Sequence, residues 1–193
     1  NGASIVLSDK RHKNEKVIFI PNLRWYVGYI ASKFYGDPSK KLETFVVTGT
    51  NGKTTCVEMI SQIGALLGKR TGYISTIGSS YEGISSLSES NLTTPSPVDL
   101  QRILFEMNKK KIELVGIEAS SHGLDQFRLN GIDIDVGIIT SFSHDHLNYH
   151  KEMNQYARAK LKLFTELNPR LAILNEQVVS EPVFNIMLSS TLC

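Results

Sequence analysis

Two cysteines in 193 residues, Cys56 and Cys193, leave no disulfide framework and fit a reducing, cytosolic setting. An excess of one charge is also missing, since 21 Lys and Arg stand against 19 Asp and Glu. Without a basic field, nucleic acid is excluded as the main partner. No apolar run approaches the roughly 20 residues that a membrane-spanning helix needs, and no stretch reads as a signal peptide, so no membrane partner is expected. Internal repeats and low-complexity tracts are absent. What is present is an ordinary globular balance, 41% hydrophobic and 21% charged. That suffices for one sizeable α/β domain with an extra element. The chain opens at Asn1 on NGASIVLSDK and closes on EPVFNIMLSSTLC, so a piece of a larger protein is expected.

Residues 3–8 and 16–20 read as short buried strands around the polar turn DKRHKN. Pro21 opens an amphipathic stretch with Trp25, Tyr29, Ile30 and Phe34 at helical spacing, and its aromatics are expected in the core. Gly36, Pro38 and Ser39 break the pattern and place a domain boundary near residue 40. Strands and helices then alternate: strand 44–49, helix 53–68, strand 70–76, helix 97–110, strand 113–119, strand 133–141, helix 152–167 and strand 171–174. The Ser/Gly-rich segment 78–91 is expected to be a flexible loop. Such alternation predicts a mainly parallel, doubly wound α/β sheet with helices on both faces.

In an open sheet of this kind, ligands gather outside the carboxyl ends of the strands. Four polar clusters fall there: Gly49–Thr55, Glu118–His122, Ser141–His150 and Thr93–Pro95. The first, within FVVTGTNGKTT, has the strand–turn–helix setting of a phosphate loop. Its spacing departs from G-x-x-x-x-G-K-[ST], because only two residues part Gly49 from Gly52 and Val47 stands at the first glycine position. Glycines let backbone N–H groups converge on an anion, and the helix N-terminus adds partial positive charge. Lys53 would reach the β- and γ-phosphates of a nucleotide, and the Thr54 hydroxyl would bind Mg2+.

Glu118 ends an apolar strand, where a buried carboxylate needs a cation; a solvated strand end is the alternative. SFSHDHLNYH holds His144, His146 and His150, a spacing that also suits zinc. The lack of cysteine pairs and the neighbouring phosphate loop speak against zinc. Oxygen ligands suit Mg2+ better than imidazole does. Residue chemistry by itself leaves this metal open.

Taken in order, TGTNGKTT, TTPSP, EASSHGLDQFR, DHLNYH and YARAKLKLF resemble the motif set of the Mur ligases, in the branch that adds the third stem-peptide residue. IPNLRWYVGYIASKFYGDPS resembles that family's lead-in to its central domain, so the resemblance covers nearly the whole chain. In that family the compact G-T-N-G-K-T loop is the ATP site. The resemblance implies a phosphate cradle of Gly49, Thr50, Asn51, Gly52, Lys53, Thr54 and Thr55, with Asn175 on the adenine side. It implies Mg2+ ligands at Thr54, Glu118 and His146, and contacts to UDP-MurNAc-dipeptide from Thr93, Thr94, Ser120, Gln126 and Arg128. Lys160 matches a lysine that the family carbamylates with CO2. That change turns a cation into an anionic oxygen ligand for a second Mg2+. Without the motif, Lys160 would read as an exposed helix lysine. Lys162, two residues on, is expected to be ordinary and exposed. Lys53, Lys160 and His146 would carry catalysis.

The implied reaction is ATP-dependent amide-bond formation through an acyl phosphate, adding the third amino acid to UDP-MurNAc-L-Ala-D-Glu in peptidoglycan biosynthesis. ATP and Mg2+ are the cofactors, and diaminopimelate or lysine is the incoming amino acid. A cytoplasmic monomer is implied. Residues 1–40 would end a UDP-binding domain, and 41–193 would be a truncated central ATP-binding domain lacking the amino-acid-binding domain, inactive alone. Some positions depart from the family pattern. Leu92 precedes Thr93 where asparagine is usual, with Asn91 one place earlier. Ser141 replaces a common asparagine and Asn148 a common aspartate, and LAILNEQ replaces Asn-x-Asp-Asp around Asn175. The alternatives are a folate- or cyanophycin-type amide ligase and a non-catalytic remnant.

Overall fold

The computed structural model describes residues 2–81, 84–86 and 92–189, with 84–86, 147 and 186–189 described by backbone alone. In chain order the elements are β1 (Val6–Ser8), β2 (Val17–Phe19), α1 (Leu23–Phe34), a 3-10 turn (Pro38–Lys41), β3 (Glu43–Thr48), α2 (Lys53–Leu66), β4 (Thr71–Ser75), β5 (Gly78–Tyr81) and β6 (Ile84–Ser86). There follow α3 (Pro97–Lys109), β7 (Leu114–Glu118), α4 (Ser121–Asp125), β8 (Val136–Ile139), α5 (Leu147–His150), α6 (Met153–Thr165), β9 (Leu171–Leu174), α7 (Glu176–Val179) and α8 (Pro182–Ser189).

Seven strands form one sheet in the order β6-β5-β4-β7-β3-β8-β9. The five from β4 to β9 pair in parallel, while β5 and β6 add antiparallel at one edge. β3 lies between β7 and β8, so the carboxyl ends of all three open on one edge. Helices cover both faces, as the alternation predicts. On one face α3, begun by Pro97 and capped by the Ser96 hydroxyl, buries Leu100, Leu104 and Met107 against Val46, Ile74, Val115 and Ile117. The opposite face takes α2 through Val57, Ser61 and Gly64. A Cβ on Gly116 of β7 would come within 2.9 Å of Val57 Cβ. Small residues on both sides thus let α2 approach closely, which sets the phosphate loop tight against the sheet edge.

Four expectations change. Segment 78–91 is not all loop, since β5 and β6 occupy 78–81 and 84–86; residues 82–83 and 87–91, Asn91 among them, lie outside the described residues, as does Cys193. Backbone pairing to β4 needs no apolar side chains, which is why composition hid it. β1 and β2 are three residues each and largely exposed rather than buried, because two paired strands cannot bury both of their faces. The α1 aromatics are not core either: Trp25, Tyr26 and Tyr29 are exposed, and Phe34 is 81% exposed. This helix instead buries Gly28, Ala31 and Ser32. A Cβ on Gly28 would lie 1.9 Å from the Asn130 carbonyl oxygen, so only glycine permits that approach. Lys162, the fourth, belongs with the site.

The region near residue 40 is a packed turn. Pro38 and Ser39 are buried, Asn108 Nδ2 donates to the Pro38 carbonyl (2.8 Å), and Asp133 N donates to Ser39 Oγ (2.9 Å).

Candidate functional site

The loop after β3 is held open by glycine backbone. Gly49 (φ 149°) and Gly52 (φ 83°) occupy conformations that disfavour a side chain. A Cβ on Gly49 would also strike Thr140 Oγ1 at 2.0 Å. The end of β8 pins the loop from below: Thr50 N donates to the Ser141 carbonyl (2.9 Å) and Asn51 N to Ser141 Oγ (2.9 Å). Thr140 Oγ1 donates to the Asn51 carbonyl (2.7 Å). Ser141, a departure from the family pattern, is thus part of the loop's support. The first intrahelical bond of α2 runs from Cys56 N to the Gly52 carbonyl. The N–H groups of Lys53, Thr54 and Thr55 therefore have no partner within the helix, which suits an anion.

Lys53 folds back over the loop, its Nζ donating to the carbonyls of Gly49 (3.0 Å) and Thr50 (2.9 Å). Glu118 Oε1 lies 3.9 Å away. Burial lowers the Lys53 pKa, and the charges of Glu118 and Asp145 oppose that shift.

Glu118, at the end of β7, is 2% exposed and not a solvated strand end. Its Oε2 accepts from Thr54 Oγ1 (2.9 Å), Thr76 N (3.0 Å) and Thr76 Oγ1 (3.2 Å). The Thr54 hydroxyl and Glu118 carboxylate are adjacent hard oxygen donors, a pair whose chemistry fits Mg2+.

Lys160 is 1% exposed, and its Nζ donates to the same Gly49 carbonyl at 2.7 Å. The amine also sits 4.4 Å from the centroid of the Tyr156 ring, one turn earlier on α6. Tyr156 is fully buried and its hydroxyl lies 3.1 Å from Thr50 Oγ1. Burial first, then repulsion from Lys53, pushes the Lys160 pKa down to about 7, with Asp145 pulling the other way. A buried amine next to a second amine is therefore readily neutral.

The histidines divide. His146, in a left-handed conformation (φ 52°), is exposed, with Nε2 3.5 Å from Asp145 Oδ2. Its ring stands 5.0 Å from His122. His150 is buried, with Nε2 on Ser121 Oγ (3.0 Å), while His144 is exposed. The three histidines of SFSHDHLNYH do not converge. Among the described residues, no three His, Cys, Asp or Glu side chains are grouped to hold a metal ion, so the zinc reading loses its geometry.

Beyond Glu118 lie the other polar residues. Thr94 Oγ1 donates to the Glu118 carbonyl (3.0 Å), accepts from Ser120 N (3.0 Å) and lies 3.1 Å from Ser120 Oγ. Thr93 Oγ1 lies 3.2 Å from Thr76 Oγ1. Arg128 Nη1 donates to the Thr94 carbonyl (2.7 Å), and its Nη2 and Nε donate to Gln126 Oε1 (2.6 and 3.2 Å). Gln126 and Arg128 open on a cleft of about 520 Å3 that Leu92 and Arg24 also line. Asn175 caps α7 through Gln177 N and donates from Nδ2 to the Thr140 carbonyl (2.7 Å), beside the loop's support.

Lys162 is the remaining correction. It is part-buried, ion-paired with Asp125 Oδ1 (3.2 Å), and stacked over Phe127. Its position two residues from Lys160 turns it toward α4 rather than toward solvent. Sequence reasoning also missed Thr76, Thr140 and Tyr149. The first two sit at the carboxyl ends of β4 and β8, a placement that could have identified them. Tyr149 carried no signal beyond its place in the histidine-rich loop.

Among the described residues, no helix is long and apolar enough to cross a membrane. Residues 47–190 match the family described as the Mur ligase middle domain. The UDP-N-acetylmuramoyl-L-alanyl-D-glutamate–2,6-diaminopimelate ligase of Coxiella burnetii is 42% identical over 162 residues, covering 83% of this chain and 33% of its own. A solved structure of a UDP-N-acetylmuramoyl-L-alanyl-D-glutamate–2,6-diaminopimelate ligase superposes with a TM-score of 0.85 at 31% identity, over 98% of this chain and 38% of that one. Mycobacterium tuberculosis folylpolyglutamate synthase complexed with ADP and AMPPCP gives 0.68 at 17% identity, over 87% of this chain and 45% of that one, a likeness of fold alone. This chain spans about a third of the length of the curated relatives it matches, 33% and 38% in two cases.

Proposed function

The chain belongs to the Mur ligase family, and from that premise we propose that it is the ATP-binding part of a ligase that extends UDP-MurNAc-L-Ala-D-Glu by one amino acid. In this reading residues 1–40 close a UDP-binding domain and 41–193 form the central domain. The incoming amino acid is diaminopimelate or lysine; the names of the curated relatives favour diaminopimelate. A cytoplasmic, monomeric enzyme goes with this reading.

The observation that carries the proposal is the meeting of two amines, Lys53 and Lys160, on the Gly49 carbonyl, with the Thr54–Glu118 pair alongside. The N–H groups of Lys53, Thr54 and Thr55 and the Lys53 ammonium would hold the ATP phosphates, with Gly49, Thr50, Asn51 and Gly52 shaping the cradle and Asn175 on the adenine side. Mg2+, held by Thr54 and Glu118 with His146 and a carbamylated Lys160 contributing further ligands, would neutralise phosphate charge. Thr93, Thr94, Ser120, Gln126 and Arg128 would orient the dipeptide. Its carboxylate oxygen attacks the γ-phosphorus as ADP departs, and the amino acid's nitrogen then displaces phosphate, losing a proton to leave the amide. Little covalent help from the protein is needed, so positioning and charge neutralisation dominate.

The test is a protein extended to the length of its relatives, given ATP, Mg2+, diaminopimelate and UDP-MurNAc-L-Ala-D-Glu. A mass increase of the nucleotide by one amino-acid residue supports the reading. Extension of a folate substrate instead would move the chain to the folate-type branch.

A further inference from the structure

A chain of hydrogen bonds joins α6 to the residues beside the cleft, with donors running from Arg128 through Gln126 and Tyr149 to Asp125 and from Lys162 to the same carboxylate. Lys162 Nζ donates to Asp125 Oδ1 (3.2 Å) and Tyr149 OH to Asp125 Oδ2 (3.0 Å). Gln126 Nε2 donates to the Tyr149 oxygen (3.2 Å), while Gln126 Oε1 receives two N–H groups from Arg128 and Arg128 Nη1 reaches the Thr94 carbonyl.

The direction follows from the chemistry of the groups. A guanidinium has only donors, so Gln126 must turn its oxygen to Arg128 and its NH2 toward Tyr149. The Tyr149 oxygen can accept that NH2 because its own proton goes to Asp125. Reversing the amide would set NH2 against guanidinium. Arg128 has five N–H groups, and three are engaged among the described residues. One on each terminal nitrogen is left, a fork suited to an oxyanion.

We infer that Tyr149 and Asp125, with Lys162, are positioning residues that lock the Gln126 amide and so aim Arg128 at the anionic part of the nucleotide-linked substrate. None of the three needs to touch substrate. The inference rests on the reading of Gln126 and Arg128 as substrate contacts. It adds that α6 serves both ends of the reaction, presenting Lys160 to the phosphate loop and Lys162 to this relay. The Tyr149 ring packs 4.1 Å from His122 and would keep that contact as phenylalanine, so Tyr149→Phe removes only the hydroxyl.

The experiment uses the protein extended to the length of its relatives. For Tyr149→Phe, KM for UDP-MurNAc-dipeptide should rise about five- to tenfold, with kcat and KM for ATP changing by less than about twofold. Asp125→Asn keeps an acceptor for Tyr149 and loses the Lys162 ion pair, so it should give a smaller rise in the same constant. An unchanged dipeptide KM in Tyr149→Phe, or an equal rise in KM for ATP, overturns the relay. If Tyr149→Phe does not fold, Asp125→Asn decides by the same two constants. Absence of turnover with UDP-MurNAc-dipeptide in the unsubstituted protein would overturn the proposed function first, and the relay with it.

Discussion

Lys160 Nζ and Lys53 Nζ lie 2.7 and 3.0 Å from one acceptor, the Gly49 carbonyl oxygen. Burial first, and repulsion from the Lys53 charge second, lower the pKa of Lys160 to about 7. Its neutral form is the nucleophile that CO2 requires. In the protein extended to the length of its relatives, Lys160→Ala should lower turnover by about a hundredfold or more. Added short carboxylates should restore part of it by filling the vacated anionic position. Lys162→Ala should instead raise the dipeptide KM through the Asp125 relay. Identical kinetic defects in the two variants would remove the carbamate role.

The same shift makes stability depend on pH. With a folded pKa near 7 against an ordinary value of 10.5, Lys160 binds fewer protons folded than unfolded between those limits. Stability therefore rises with pH across that window and is independent of this group below about pH 7. Lys53, also lowered, acts in the same sense. The raised pKa of Tyr156 acts oppositely above pH 10. Urea unfolding of this chain in CO2-free buffer should show a midpoint climbing from pH 7 to 9. Lys160→Met should flatten the climb and stabilise the fold at pH 7.5 by roughly 1–4 kcal/mol. An unaltered slope in that variant would mean that Lys160 is ordinary.

Lys53 is the cation nearest the loop amides. Lys53→Ala should weaken ATP binding by about a hundredfold or more in calorimetric titration. Equal affinity in the two proteins would remove the phosphate-loop role of residues 49–55.

Glu118→Gln keeps the acceptor for Thr54 and Thr76 and removes the charge. It should raise the Mg2+ concentration for half-maximal turnover by about ten- to a hundredfold without lowering the melting temperature, and His146→Ala should act likewise. Restoration of activity by zinc in preference to Mg2+ would contradict the oxygen-donor site.

At Gly116, where a Cβ would press on Val57, alanine should destabilise the chain by roughly 1–3 kcal/mol in urea unfolding, through displacement of α2 from the sheet.

Much of the sheet and its loops was legible because strand, turn and helix follow one another in plain sequence at residues 43–66 and again at 114–125. Residues that act from strand ends, such as Glu118, announce themselves by carrying charge into an apolar run. Other features depend on what arrives from elsewhere in the chain. The period of α1 marks an amphipathic helix, yet the packing of α3 and the approach of Asn130 select the Gly28–Ala31 side for burial. Lys162 lies off the Lys160 face, as spacing predicts. It meets Asp125 rather than water because α4 packs there. Tyr149 gains its role from two partners more than twenty residues away, which no local pattern encodes.

In the proposed reaction a carboxylate oxygen of the dipeptide passes to the γ-phosphoryl group of ATP. The most direct measurement supplies the extended protein with UDP-MurNAc-L-Ala-D-Glu labelled with 18O in its carboxylates, together with ATP, Mg2+ and diaminopimelate, and weighs the phosphate released. One 18O atom in each phosphate, with release dependent on the dipeptide, is the predicted result. Phosphate free of label while the amide still forms, or phosphate released equally without the dipeptide, would contradict it.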